Sequence, residues 1–249
     1  MSHLPLAEIE IRTIKNVNLK GGTVIDGFPS GGLTNSIASM CFMRSSKNDL
    51  VAILDSLAFP PLSVIYNGTP NFPARIYANE DLNIAFVVSE LNLDQSLYYS
   101  VSKAILQWAK QNECELILTA GTISVEESKR SDMQPDKDSV YSVGSTQSAK
   151  EKLKKARVAR EFNGSVSGIP ALLLNEGAWT NFDVIVLLVE SLKDVSEFRG
   201  AAAVSEKIMK LVPGLSCDIN SLLSQAKTIE RDLRKLRSEQ KKPDISLYR

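Results

Sequence analysis

Along this chain, short continuous apolar runs alternate with amphipathic runs of helical period, and this alternation limits the possible folds more than any other feature. Asn83 to Ser89 is rich in Val, Ile and Phe. After a candidate N-cap at Asp94, the residues Leu97, Val101, Ala104, Ile105 and Trp108 recur four, three, one and three apart, with polar residues between them. Leu116-Ile117-Leu118-Thr119 is apolar again. A strand that is apolar on both sides of its pleat must be covered on both faces, and helices with one apolar stripe supply that cover. The pattern predicts an α/β fold: a mainly parallel sheet with helices on both faces.

The remaining segments fit the same scheme. Ile9, Ile11 and Ile14 suggest an opening strand. Thr23 to Asp26 suggests a second, followed by the glycine turn Gly27-Phe28-Pro29-Ser30-Gly31-Gly32 and a helix carrying Leu33, Ile37, Met40 and Cys41. Val51 to Leu54, Leu62 to Tyr66 and Ala74 to Tyr77 read as short strands, punctuated by Pro60-Pro61, Gly68, Pro70 and Pro73. Ser124 to Ser139 reads as a long polar loop, Val140 to Ser145 as a returning strand and Gln147 to Arg160 as a basic helix. A helix from Pro170, a buried strand over Val184 to Val189 and a helix from Glu197 to Val212 complete the core. No internal repeat and no second-domain linker is present.

The last helix is patterned differently. From a candidate cap at Asp218 it sets Leu222, Ala226, Ile229, Leu233 and Leu236 at four-three-four-three spacing, a narrow heptad seam among charged residues. Its first half suits packing on its own sheet, whereas beyond about Ile229 the seam suits another helix, from the same chain or a second subunit. Pro243 ends the helical run. The chain thus divides into a core over 1–217, a helix over 218–242 and an extended tail over 243–249, which ends Leu247-Tyr248-Arg249: a hydrophobic residue, a Tyr, any residue and the α-carboxylate.

Composition removes several function classes. The 29 basic and 29 acidic residues cancel, so no overall charge recruits nucleic acid or an anionic membrane. The basic face of Lys150, Lys152, Lys154, Lys155, Arg157 and Arg160 lacks the interleaved aromatics that bind single strands. No apolar run approaches the ~20 residues that span a bilayer, and the N-terminal residues do not resemble a signal peptide. Cys41, Cys114 and Cys217 lack CxxC spacing and are odd in number, which argues against a disulfide framework or a zinc site and for the reducing cytosol.

Catalytic chemistry finds little to use. His3 is the single histidine, so the usual triads and most zinc sites are absent. Asp132, Asp136 and Asp138 do not make a calcium loop, because Lys137 stands at the glycine position and Val143 at the closing glutamate. Glu126 and Glu127 lack a third group, and Cys217 reads as structural beside Asp218. The turn at Gly27 to Gly32 precedes a helix N-terminus and would place backbone amides toward a phosphate, yet it has neither P-loop nor GxGxxG spacing, and glycines serve close packing equally well. No cofactor, metal or catalytic residue is assigned.

Several stretches, in order, carry a resemblance over roughly Gly21 to Leu236. These are Gly27-Phe28-Pro29 with its glycine-rich helix start, Pro60-Pro61 with Gly68-Thr69-Pro70, Ile105-Leu106-Gln107-Trp108-Ala109, Thr119-Ala120-Gly121, Gly164 to Pro170, and Arg199 to Ala203 leading to Leu215 to Asp218. The chain resembles the proteasome assembly chaperones of archaea. Ser196 and Glu197 stand where that family often has Pro and Asp, and a second glycine is usual at Thr119-Ala120-Gly121. The resemblance implies a cytoplasmic, ATP-independent homo-oligomer with a nucleoside-phosphorylase-like fold lacking that enzyme's catalytic residues. It also implies that the chain binds the α-ring of the 20S proteasome. Some archaeal members carry a C-terminal hydrophobic-Tyr-any motif, which Leu247, Tyr248 and Arg249 match residue by residue. The competing reading is a small-molecule enzyme or sensor of the same fold that uses the Gly27 to Gly32 turn.

Overall fold

A computed structural model describes residues 8–29, 32–124, 140–158, 161–191 and 197–228. His3, the loop residues from Glu126 to Asp138, Arg160 and the tail with Leu247, Tyr248 and Arg249 lie outside the described residues. The elements in order are β1 (Glu10–Thr13), β2 (Thr23–Gly27), α1 (Thr34–Ser45), β3 (Asp49–Asp55), β4 (Val64–Tyr66), β5 (Thr69–Asn71), β6 (Ala74–Asn79) and β7 (Ile84–Ser89). A 3-10 turn (Gln95–Leu97) then leads into α2 (Tyr98–Gln111), β8 (Leu116–Ser124), β9 (Val140–Gly144), α3 (Gln147–Lys155), α4 (Gly168–Thr180), β10 (Asp183–Ser191) and α5 (Glu197–Leu211). Residues 219–228 are helical.

Eight strands form one sheet in the order β1-β3-β6-β7-β2-β8-β10-β9, and β4-β5 is a separate hairpin. The central strands β7, β2, β8 and β10 run parallel to one another, and the strands flanking them at both sides join antiparallel. The α/β architecture is the expected one, with its parallel character concentrated where the strand sequences are most continuously apolar. Along β10, Val184, Val186 and Leu188 enter one core cluster while Ile185, Leu187 and Val189 enter the other. The first cluster takes Val101, Ile105 and Trp108 of α2 with Ile169 and Leu173 of α4. The second takes Ala38 and Phe42 of α1, Leu153 of α3, and Val204 and Ile208 of α5. Both faces are therefore covered, which is why these strands lack polar alternation.

Some local readings change. Pro70 lies inside β5 rather than marking its absence: the hairpin turns at Asn67 and Gly68, both at positive φ (47° and 77°), the conformation for which an Asn-Gly pair is suited. Helix α3 stops at Lys155 rather than Arg160, because Arg157 adopts φ 53° and redirects the chain so that Val158 is buried. Asp94 accepts from the Ser96 amide at 2.9 Å and so caps the 3-10 turn that leads into α2.

The cysteine reading is corrected. Cys41 and Cys217 form a disulfide, with Cα atoms 5.4 Å apart across 176 residues of sequence. Odd number and spacing do not reveal a pairing made by tertiary proximity: the C-terminal half of α1 passes the segment that follows α5. Cys114 is free and buried.

Candidate functional site

In open α/β sheets, ligands occupy the crevice beyond the carboxyl ends of the strands at the point where the strand order reverses. Here the chain leaves β2 through α1 for β3, works back through β6 to β7 beside β2, then crosses through α2 to β8 on the other side of β2, so the crevice lies between β2 and β8. Their pairing ends at Ile25 and Leu118, and the next residues on each strand close the gap. Asp26 Oδ2 accepts from Thr119 Oγ1 at 2.8 Å and from Asn35 Nδ2 at 3.0 Å, while Asp26 Oδ1 accepts from the Phe28 amide at 3.0 Å. Asn35 Oδ1 accepts from the Ala120 amide at 2.8 Å, giving that β8 group a partner where the strands have parted. Asp26 is fully buried, and burial pushes its carboxyl up to about 6 against the opposing effect of these hydrogen bonds. The crevice is filled by the protein's own side chains.

The start of α1 is also filled. Leu33 N donates to Glu197 Oε2 at 2.5 Å, so the carboxylate that opens α5 sits at the positive end of α1, where an anion would otherwise bind. Gly32 lies at φ 135°, and a Cβ there would meet Glu197 Oε1 at 2.9 Å. Gly32 thus serves a close approach of the protein to itself. Sequence reasoning missed Glu197 because it lies 164 residues from Leu33.

A polar recess of about 430 Å³ at the opposite, amino ends of the strands gathers Thr146, Ser148, Lys152 and Asp183. Burial raises the Asp183 carboxyl, but hydrogen bonds from Lys152, Ser148 and Thr146 outweigh this and hold it below the usual carboxylate range. Among the described residues no group of three or more His, Cys, Asp or Glu is placed to hold a metal ion.

The last helix begins as its sequence suggested. Ser221 N donates to Asp218 Oδ1 at 3.0 Å, and Leu222 and Ala226 are buried, Leu222 within the second core cluster. Cys217, immediately before this cap, ties it to α1. Beside the disulfide runs a groove of about 510 Å³ whose lining includes Leu33, Ile37, Met40, Cys41, Phe198 and Leu222. The described residues thus contain the base of the element that leads toward Leu247, Tyr248 and Arg249.

An uncharacterized protein of Methanocaldococcus jannaschii is 26% identical over 220 residues, covering 88% of this chain and 87% of that protein. The crystal structure of Pyrococcus furiosus PbaA, an archaeal homolog of proteasome-assembly chaperone, is 26% identical with a TM-score of 0.75, over 92% of this chain and 96% of that one. Pyrococcus furiosus PbaB, an archaeal proteasome activator, shares the fold at 22% identity and a TM-score of 0.76, over 93% of this chain and 99% of that one. Residues 24–237, from the strand that carries Asp26 into the last helix, match the PAC2 family as a whole, and the chain belongs to that family.

Proposed function

We propose that this protein is an ATP-independent proteasome assembly chaperone or activator that acts in the cytoplasm as a homo-oligomer. It docks Leu247, Tyr248 and Arg249 into pockets between α subunits of the 20S proteasome. The observation that carries the reading is the match to PbaA across 92% of this chain at 26% identity. Filled positions at the β2/β8 crevice and at the α1 N-terminus support binding rather than small-molecule chemistry, since the chain's own carboxylates hold the groups a ligand would use.

In this proposal the α-carboxylate of Arg249 pairs with a cation of the pocket through a charge-assisted hydrogen bond. Tyr248 buries its ring and satisfies its hydroxyl, and Leu247 fills an apolar niche; the Arg249 side chain is incidental. Residues 218–242 act as the spacer and 243–249 as the docking tail, whose seven residues reach at most about 25 Å when extended. A single tail binds weakly, and several tails presented together gain through effective concentration. Exposed Leu57, Ile65, Tyr66 and Phe72 add apolar surface for contacts between copies.

Deleting Leu247 to Arg249, or making Tyr248→Ala, is expected to weaken co-sedimentation with purified 20S particles by about 30-fold, as loss of a buried aromatic anchor worth ~2 kcal/mol implies. Any effect on peptide hydrolysis by those particles should be lost in parallel. Undiminished binding by both variants would remove the docking tail from the mechanism.

A further inference from the structure

We propose that Cys41 and Cys217 form a thiol-exchange site, opened by small dithiols and closed by low-molecular-weight disulfides, whose state sets how firmly the last helix is held to the core. The inference stands apart from the proteasome reading. It rests on where the pair lies rather than on its existence alone. Cys41 is in the C-terminal half of α1, and Cys217 is the residue before Asp218, the cap of the helix over 219–228.

Apolar packing also fastens this segment: Leu215 and Leu222 lie in the second core cluster, and Ile219 and Leu223 pack against it. Leu215, Leu222 and Ala226 are buried, and Ser221 N is satisfied within the segment by Asp218. The Cys41–Cys217 bond is the one covalent cross-link among the described residues. Both cysteines are only partly buried, and Cys41 lines the groove of about 510 Å³, a space large enough for a small thiol. Cys114 does not compete: it is 5% exposed, and burial pushes its thiol up to about 12.

The exchange balances in two steps. A thiolate of the dithiol attacks Cys41 Sγ, the S–S bond breaks, and its electron pair leaves on Cys217 Sγ, which takes a proton from water. The reductant's second thiol then attacks the mixed disulfide, releases Cys41 as a thiol and closes the reductant into a cyclic disulfide. Two electrons and two protons pass from the dithiol to the cysteine pair. Reoxidation by a small disulfide runs the same steps in reverse and yields two small thiols.

The test uses the full chain, first equilibrated with glutathione disulfide and then treated or not with dithiothreitol. Alkylation in denaturant, read by intact mass, should add one group before reduction and three after it; three before reduction would overturn the proposal. Amide hydrogen exchange of residues 218–228 should quicken on reduction at least tenfold beyond any change in the central strands, which report the global loss of stability. Rates within twofold in the two states would overturn it equally, and this comparison needs no variant. The double variant Cys41→Ser, Cys217→Ser should exchange at the fast rate with or without dithiothreitol. A reductant response surviving in that variant would assign the effect to Cys114 and end the proposal.

Discussion

At the scale of the residue, Asp26 has a distinctive pH signature. Its carboxyl is raised from 3.8 to about 6 in the folded protein, so the native state keeps a proton that the unfolded chain has lost over this window. Its contribution is fully present below about pH 4, declines as pH rises to about 6 and is flat above, a change of about 3 kcal/mol. Asp26→Asn is uncharged throughout. The unfolding free energy of wild type relative to this variant should therefore fall by about 3 kcal/mol between pH 3 and pH 7, as urea titrations at each pH would show. A constant difference would refute the assignment. Asp183 has the opposite sign: its depressed carboxyl stabilises above the unfolded value and loses that contribution as pH falls. The stability of wild type relative to Asp183→Asn should accordingly shrink on acidification. Neither role was legible in the sequence. Asp26 meets Thr119 across 93 residues and Asp183 meets Thr146 across 37, separations at which composition and spacing say nothing about contact.

At the scale of the element, periodicity was a reliable guide where burial was complete. The stripe Leu97, Val101, Ala104, Ile105 and Trp108 is buried as read, Leu97 in the 3-10 turn and the others in α2, and the apolar runs of β7, β8 and β10 are strands because both of their faces are covered. Boundaries depended on contacts the pattern does not encode. Helix α4 ends at Asn181 in the left-handed conformation, with its amide bonded to the Gly177 carbonyl, and Gly177 is the point of closest approach to β10. A Cβ at Gly177 would lie 2.6 Å from Val184 Cγ2 and 2.9 Å from the Phe182 carbonyl oxygen. Gly177→Ala should therefore destabilise by about 2 kcal/mol through overpacking, although alanine favours an isolated helix by about 1 kcal/mol. An unchanged or higher urea midpoint would contradict this packing. Asn181→Gly keeps the backbone conformation and should alter stability by no more than about 0.5 kcal/mol.

At the scale of the whole molecule, one disulfide joins positions 176 residues apart and spans most of the fold. Chain-entropy reasoning assigns a cross-link over a loop of this length about 5 kcal/mol as an upper figure. Reduction is then expected to lower the thermal midpoint by roughly 10 °C, measurable by circular dichroism with and without dithiothreitol. In the proposed function, stability and docking separate: removing Leu247 to Arg249 should leave that midpoint within about 1 °C while weakening proteasome binding by about 30-fold, because the tail's contacts are made with the partner.

The sequence alone determined the fold class, the order of strands and helices and the family resemblance, because each is written in local periodicity, in turn residues or in short contiguous motifs. Only the tertiary structure decided what became of the chemistry-bearing residues. It placed Glu197 over the start of α1, closed the β2/β8 crevice with Asp26, Asn35 and Thr119, and joined Cys41 to Cys217. The physical reason is range: burial pattern and backbone conformation are set within a few residues. A carboxylate's partner or a thiol's partner, in contrast, is set by which distant segments the sheet order brings together.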